Sequence, residues 1–158
     1  MNFKIGDIIL SHQIDSDAHK WISLLTGSYW SHASLYLGND VMIEATRDGV
    51  HLSSLSGELN KCDFKVLRCN VLSTKQKEEL ITISQRYINY DYDFGSMIFK
   101  WKHNFSPKAK YGKKPKQQIN CCKLIVDCYE NVGISLSPSI DFPIPKDLLL
   151  SPFLCPVC

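Results

Sequence analysis

Apolar and polar positions alternate along two neighbouring stretches of the chain, residues 32–37 (HASLYL) and residues 41–45 (VMIEA). Successive side chains of a strand point to opposite faces, so each stretch predicts a strand with one buried face. Between them lies Gly38-Asn39-Asp40, a composition that is typical of tight turns. The pattern therefore predicts a β-hairpin.

The register of this hairpin determines which polar side chains meet. A three-residue loop sets Ser34 opposite Glu44, with His32 one step along the diagonal, ~7–8 Å away on the same face. A two-residue loop would send Glu44 to the face opposite His32. The three-residue loop also puts all the apolar residues on one face, through the pairs Leu37–Val41, Leu35–Ile43 and Ala33–Ala45. The hydrophobic pattern thus predicts that Glu44 supports His32.

A second element, an amphipathic helix, is predicted over residues 121–132. Asn120 is a favourable N-cap, and Gly133 is a favourable helix terminator. Cys121 extends the apolar stripe by one turn, whereas Cys122 is rotated by about 100° away from it. A cysteine in the first turn lies near the positive end of the helix dipole, which favours the thiolate. The apolar stripe itself consists of Leu124, Ile125, Cys128 and Val132.

Cys121, His32 and Glu44 are the residue types that a thiol nucleophile requires: the sulfur, a base and a group that orients the base. Either of the first two alone is weak evidence, because a free cysteine is often a small buried hydrophobe. The hairpin register and the position of Cys121 at a helix start together favour a catalytic interpretation. Candidate substrate-binding residues near the trio are Ser34, Tyr36 and Cys122; for Tyr36 the alternative is a packed strand aromatic.

The remaining pattern predicts one α+β domain over residues 1–158. A capping box at Ser73–Gln76 predicts a helix that continues to about Ile88. The other predicted elements are a strand at Asp7–Leu10, a helix at Ala18–Leu25, a strand at Phe64–Arg68 and a short helix at Phe94–Trp101.

Composition narrows the class of protein. The N-terminus lacks the features of a signal peptide, and no apolar run is long enough to span a membrane. We therefore predict a cytoplasmic protein, with delivery by a route that leaves no Sec signal as the alternative. The seven cysteines then argue against a disulfide framework. The terminal Cys155-Pro-Val-Cys158 is interpreted as two incidental thiols, with half of a zinc site or a redox pair as the alternative.

One segment, Lys100–Lys116, holds seven lysines and no acidic residue. The other 11 basic and 16 acidic residues leave the rest of the chain at −5. Pro107, Gly112 and Pro115 indicate a loop, so we interpret residues 102–118 as a basic loop insertion. The alternative to a merely solvated loop is a flap that contacts an anionic surface or substrate; no nucleic-acid-binding motif accompanies it.

Six sequence motifs occur in order along the chain: GDIIL (6–10), ISLLTGSYWSHASLYLG (22–38), VMIEAT (41–46), YDYDF (90–94), CCKLI (121–125) and PKDLLLSP (145–152). Together they resemble the permuted papain-like amidases of the YaeF/YiiX group, within the NlpC/P60 superfamily; related poxvirus proteins are also similar. The resemblance implies a circularly permuted papain-like fold, with an antiparallel sheet packed against the helix of the catalytic cysteine. It also implies His32 as base, Glu44 as third member and Cys121 as nucleophile. Lys123 stands where the family usually has glutamate.

From the sequence we therefore predict a cysteine hydrolase that forms a thioester acyl-enzyme on an amide or ester bond, without a metal or an organic cofactor. The predicted substrate is a small peptide-like molecule or a lipid. Two alternatives stay open: an acyltransferase that uses the same Cys121–His32–Glu44 site, and a non-catalytic ligand-binding module with the same fold.

Overall fold

The computed structural model describes residues 1–12, 27–95, 117–137 and 141–157. The predicted helix at Ala18–Leu25, the basic segment and Cys158 lie outside the described residues, as does most of the predicted helix at Phe94–Trp101. In chain order the described elements are β1 (Ile8–His12), β2 (His32–Gly38), β3 (Val41–Thr46), β4 (Gly49–Ser54), α1 (Leu55–Leu59), β5 (Asp63–Arg68), α2 (Thr74–Gln85), β6 (Asp91–Tyr92), β7 (Gln118–Ile119), α3 (Cys121–Asn131), α4 (Pro145–Leu149) and β8 (Cys155–Pro156).

Six of these strands form one antiparallel sheet in the order β4-β3-β2-β1-β5-β8. Helix α3 packs on the face that carries the apolar residues of the hairpin, and α2 packs on α3. Ile9, Met42 and Leu55 form a smaller apolar cluster of their own. The predicted α+β architecture, an antiparallel sheet against the cysteine helix, is confirmed.

The β2–β3 hairpin has the predicted register but not the predicted loop. Ser34 pairs with Glu44 and Leu35 pairs with Ile43, as the hydrophobic pattern predicts. The turn, however, holds only two residues, Asn39 and Asp40, both at positive φ. A β-bulge before Gly38 adds the residue that the shorter turn lacks, so the Ser34–Glu44 pair keeps its predicted register. The φ of 99° at Gly38 favours glycine at this position.

One hairpin pair predicted from the sequence is wrong. Val41 pairs with Gly38 instead of Leu37, because the bulge shifts the register at the turn. The recorded pairs of β2 with β3 end at Ser34–Glu44, so the predicted Ala33–Ala45 pair lies one step beyond them in the same register, with both side chains buried in the main core. At this end of the hairpin, β2 remains paired with β1 through Leu10–Ala33 and Ser11–His32.

Helix α3 begins at Cys121, as the sequence predicts, and ends at Asn131, one residue before the predicted Val132. The Asn120 side chain accepts a hydrogen bond from the Lys123 backbone N–H (2.8 Å), and Gly133 follows the C-cap at a φ of 84°. The predicted stripe is fully buried. Helix α2 has its capping box at Ser73 and ends at Gln85, three residues before the predicted Ile88. The Gln76 side chain donates to the Val132 carbonyl (2.8 Å), which ties α2 to the end of α3.

A short parallel pair, β6 with β7, connects the sheet to the start of α3. Tyr92 pairs with Ile119, two residues before Cys121. The segment is fixed on its other side by a backbone hydrogen bond from Val50 to the Tyr90 carbonyl (2.8 Å). A Cβ atom at Gly49 would lie 2.8 Å from that carbonyl oxygen, so the close approach requires glycine. The pairing therefore brings Tyr92 to the first turn of α3.

A buried ion pair fastens the N-terminal segment to β5. Asp7 is 1% exposed, and its two oxygens accept from Nε and a terminal nitrogen of Arg68, each at 2.7 Å. The Asp7 backbone carbonyl also accepts from Tyr36 N at 2.8 Å, which links the same residue to β2. Such a bidentate pair has more effect on stability than a solvated one.

We expect Asp7→Ala to lower the free energy of unfolding by about 3–5 kcal/mol, because it leaves the Arg68 guanidinium partly buried without its counter-charge. Urea denaturation measures this loss. Glu79→Ala is the matched control, since it removes the partner of the exposed Lys75 and should change stability by no more than about 0.5 kcal/mol. Equal effects of the two variants would contradict the assigned role of Asp7.

Candidate active site

His32 and Glu44 meet across the hairpin, as the register predicts. The distance between His32 Nε2 and Glu44 Oε2 is 2.7 Å, and the two side chains are 15% and 10% exposed. Glu44 Oε1 lies 3.9 Å from His51 Nε2, on the neighbouring strand β4. Because Glu44 takes up one ring nitrogen of His32, the other is left for a partner on the opposite side.

That partner is Cys121, at the first position of α3. Its side chain is 5% exposed and is hydrogen-bonded to the His32 ring. The backbone N–H of Ala33 also donates to the Cys121 sulfur. Ala33 directly precedes Ser34, which forms the last recorded pair between β2 and β3. The structure thus brings Cys121, His32 and Glu44 together, with His32 in the middle.

The three groups alter one another's protonation. Burial favours neutral imidazole, but the hydrogen bonds and negative charges of Cys121 and Glu44 outweigh it and raise the pKa of His32 to about 10. Burial also opposes the charge of Glu44, yet the His32 imidazolium lowers the pKa of Glu44 to about 2. Near neutral pH the stable state is therefore a carboxylate, an imidazolium and a thiolate in a row.

A contact with Cys122 also favours the thiolate form of Cys121. A hydrogen bond from the Cys122 thiol is the largest effect that lowers the pKa of Cys121, ahead of the contribution of His32, while burial opposes both. The two sulfur atoms are 4.0 Å apart. The net result is a pKa well below that of an ordinary cysteine, which makes Cys121 a nucleophile at neutral pH.

Tyr92 is part of this site, although the sequence analysis did not select it. Its hydroxyl is hydrogen-bonded to Cys121. Burial and the negative charge of Cys121 raise the pKa of Tyr92 well above its ordinary value, so the hydroxyl keeps its proton. A two-residue strand has no periodicity to read; the only sequence signal is the position of Tyr92 within the motif YDYDF.

A cavity of about 480 Å³ adjoins the trio. His32, Glu44 and Tyr92 line it, whereas Cys121, which is hydrogen-bonded to His32 and Tyr92, is not among the lining residues. Ile9, Met42 and Leu59 provide apolar surface, and the β3–β4 turn adds charged groups. The further lining residues are Ser11, Ser31, Ser34, Ala45, Thr46, Arg47, Asp48, His51, Glu58, Cys62 and Phe94.

The three residues predicted to contact substrate lie in different surroundings. Ser34 borders the cavity but is buried, and its hydroxyl lies 3.2 Å from Met42 Sδ. Tyr36 is not among the cavity-lining residues and packs on Phe3, with ring centroids 5.7 Å apart, an arrangement that favours the packed-aromatic alternative. Cys122 is 1% exposed and lies beside Cys121. Substrate contact by either residue stays a prediction.

Lys123, which stands where the family usually has glutamate, pairs its ammonium with Asp127 one turn along α3. Among the described residues, no three His, Cys, Asp or Glu side chains are grouped so that they would hold a metal ion.

Cys155 is exposed on β8, and its predicted partner Cys158 lies outside the described part of the chain. None of the described helices combines the length and hydrophobicity needed to span a bilayer.

We expect the Glu44–His32 pair to stabilise the fold most between about pH 4.5 and pH 6.5. The raised pKa of His32 gives a stabilisation that is complete below pH 6.5 and is lost as the pH rises through about 10. The lowered pKa of Glu44 gives one that is complete above pH 4.5 and is lost as the pH falls through about 2.

Urea unfolding of the wild type and Glu44→Gln over this pH range measures the effect. The difference in free energy of unfolding should be largest inside the window and should shrink on both sides. Asp48→Asn, which alters an exposed carboxylate of the same cavity, should show no such dependence. A pH-independent difference for Glu44→Gln would show that the pair is not ionised.

Comparisons with known proteins identify the family and the fold of the chain. The family described as "permuted papain-like amidase enzyme, YaeF/YiiX, C92 family" matches residues 2–140. No curated protein matches the chain significantly. Among solved structures, the crystal structure of metalloprotein yiiX from Escherichia coli O157:H7 is similar, with a TM-score of 0.71 and 22% sequence identity over 98% of this chain and 96% of that chain. The chain therefore belongs to the permuted papain-like amidase family, and its fold is the permuted papain-like fold.

Proposed function

We propose that this protein is a cysteine hydrolase that cleaves an amide or ester bond through a thioester acyl-enzyme. Its family is one of papain-like amidases, which supports a cysteine hydrolase in general. The observation that carries the specific proposal is the position of His32, hydrogen-bonded to Cys121 on one side and to Glu44 on the other. Sulfur, base and orienting carboxylate have the connectivity that thiol catalysis requires.

In the proposed reaction the Cys121 thiolate attacks the substrate carbonyl carbon. The carbonyl π electrons move to oxygen, and a tetrahedral oxyanion forms. His32, already protonated, donates its proton to the departing amine or alcohol as the C–N or C–O bond breaks. Water then attacks the thioester carbonyl carbon while His32 takes up its proton, the C–S bond breaks, the acid leaves and the Cys121 thiolate and His32 imidazolium are restored. Glu44 keeps the His32 ring oriented and stabilises its charge throughout.

Two sources of hydrogen bonds are suited to the oxyanion. The first turn of α3 has backbone N–H groups without intrahelical acceptors beside the Cys121 sulfur. The Tyr92 hydroxyl is protonated, borders the cavity and already reaches that sulfur. When a carbonyl carbon bonds to the sulfur, its oxygen comes within range of the same hydroxyl. We therefore assign Tyr92 as an oxyanion donor.

The cavity supports a substrate with an apolar group next to its scissile carbonyl. Ile9, Met42 and Leu59 line one part of the cavity, and Arg47, Asp48 and other polar groups line another. A small peptide-like amide and a lipid ester both combine an apolar group with a polar linkage. Contact of the basic Lys100–Lys116 segment with an anionic surface remains a separate proposal from the sequence.

Two alternatives have their own experimental outcomes. An acyltransferase would use the same three residues, and an amine or alcohol acceptor would replace water in the second step. A non-catalytic binding module would bind substrate without releasing an acid. Since the similar solved protein is called a metalloprotein, metal analysis of the purified full chain belongs to the same set of measurements.

Limiting amounts of a small thiol-reactive electrophile should modify Cys121 before the other cysteines, because only a thiolate reacts fast. The rate should rise with pH well below the range in which an ordinary thiol ionises. His32→Ala should move that rise to higher pH, since the imidazolium no longer stabilises the thiolate. Peptide mapping by mass spectrometry identifies the modified cysteine.

Cys128→Ala is the matched control for this labelling, because Cys128 lies in the same helix and burial raises its pKa to about 12. The control should label like the wild type. Preferential modification of Cys122, or a His32→Ala profile identical to that of the wild type, would overturn the assignment of the nucleophile and its base.

Tyr92→Phe should lower kcat for amide or ester hydrolysis by about 10²-fold, the usual effect of losing one oxyanion donor. Alkylation of Cys121 by a haloacetamide forms no oxyanion, so its rate should change much less. Comparing the two rates separates an effect on the transition state from an effect on the thiolate. Equal losses in both rates would assign Tyr92 to thiolate activation alone.

A further inference from the structure

Cys122 is the strongest feature of the described chain that the proposed reaction does not use. It is buried beside Cys121, with the two sulfur atoms 4.0 Å apart, at the first and second positions of α3. Two adjacent thiols, one of them a thiolate, are chemically a dithiol rather than two independent cysteines. Such a pair has an oxidised form that a single catalytic cysteine lacks.

We propose that Cys121 and Cys122 form a redox modification site, which a peroxide converts to a disulfide between the two neighbouring residues and which a dithiol restores. The site needs no turnover of substrate. It stands on the 4.0 Å distance between the two sulfur atoms and on the asymmetry between them: Cys121 is contacted by the His32 ring and the Ala33 N–H, whereas Cys122 donates a hydrogen bond to Cys121.

The chemistry balances in two steps. First the Cys121 sulfur attacks a peroxide oxygen, the O–O bond breaks, and the sulfur becomes a sulfenic acid while the departing hydroxide takes up a proton. Then Cys122 attacks the oxidised sulfur, an S–S bond forms, the S–O bond breaks, and hydroxide leaves with the Cys122 proton as water. Overall the dithiol loses two hydrogen atoms, and hydrogen peroxide is reduced to two molecules of water.

The position of Cys121 and Cys122 at the start of α3 allows the disulfide to form. The S–S distance must fall from 4.0 Å to about 2.05 Å, which requires local backbone adjustment. The first residues of a helix have N–H groups with no intrahelical acceptor, so adjustment there breaks fewer hydrogen bonds than it would in the middle. Adjacent Cα atoms are about 3.8 Å apart, shorter than in ordinary disulfides, so the bond is strained and readily reduced.

Other partners for Cys121 are less suited. Cys128 lies seven residues along the helix, about 10 Å away along the axis. Burial raises the pKa of Cys62, Cys69 and Cys128, so these side chains remain unreactive thiols near neutral pH. Because the proposed hydrolase uses the Cys121 thiolate, the disulfide would block that reaction reversibly and protect the sulfur from further oxidation.

The test treats the reduced full-length protein with limiting hydrogen peroxide and maps its cysteine peptides by mass spectrometry. In the wild type, the peptide that contains Cys121 and Cys122 should lose two hydrogens and regain both thiols after dithiothreitol. In Cys122→Ser the same peptide should instead gain two or three oxygens, because sulfinic and sulfonic acids form irreversibly. Cys128→Ala, the matched control, should behave like the wild type.

Irreversible oxidation of the wild type in parallel with Cys122→Ser would overturn the proposal, as would a disulfide from Cys121 to any other cysteine.

A second measurement uses only the wild-type protein. Phenylarsine oxide, which bridges two neighbouring thiols, should bind the reduced wild type and protect both Cys121 and Cys122 from alkylation. Failure of this protection would also contradict the site. Both readouts are independent of hydrolytic activity, so they can fail or succeed apart from the proposed function.

Discussion

The arrangement of the site depends on one contact, the 2.7 Å hydrogen bond between His32 Nε2 and Glu44 Oε2. Burial would otherwise remove the proton from the imidazole, and a neutral ring would no longer favour the neighbouring thiolate. The hydrogen bonds and negative charges of Cys121 and Glu44 together raise the pKa of His32. The imidazolium in turn lowers the pKa of Cys121, in addition to the hydrogen bond from Cys122. The hairpin register that brings Ser34 opposite Glu44 thus determines the charge on an atom of another element.

Three parts of the fold supply the groups that surround the charged Cys121 sulfur. The β2–β3 hairpin contributes the base and the carboxylate, helix α3 contributes the sulfur and its N-terminal N–H groups, and the β6–β7 pair contributes the Tyr92 hydroxyl. Each is held by its own local constraint: the bulge before Gly38, the Asn120 cap, and the close approach of Gly49 to the Tyr90 carbonyl. The chemistry therefore rests on backbone geometry as much as on the side chains.

Sequence pattern predicted the parts that follow from periodicity and capping, namely the Ser34–Glu44 register and the start of α3 at Cys121. It did not predict the two-residue turn, because the compensating bulge depends on positive φ angles at Asn39 and Asp40 that leave no hydrophobic signal. Tyr36 shares a face with His32, but four residues of strand separate the two by about 13 Å, beyond the cavity. Tyr92 was missed because its two-residue strand is defined only by its parallel partner.

The most direct test of the central claim is the protonation state of His32, observed by NMR of its two ring nitrogens as a function of pH. We expect both ring nitrogens of His32 to carry protons through neutral pH and the ring to titrate near pH 10. Cys121→Ser, which removes the negative partner on one side, should bring the titration to lower pH. A wild-type His32 that loses its proton near pH 6.5, as an isolated imidazole does, would contradict the proposed thiolate–imidazolium–carboxylate arrangement.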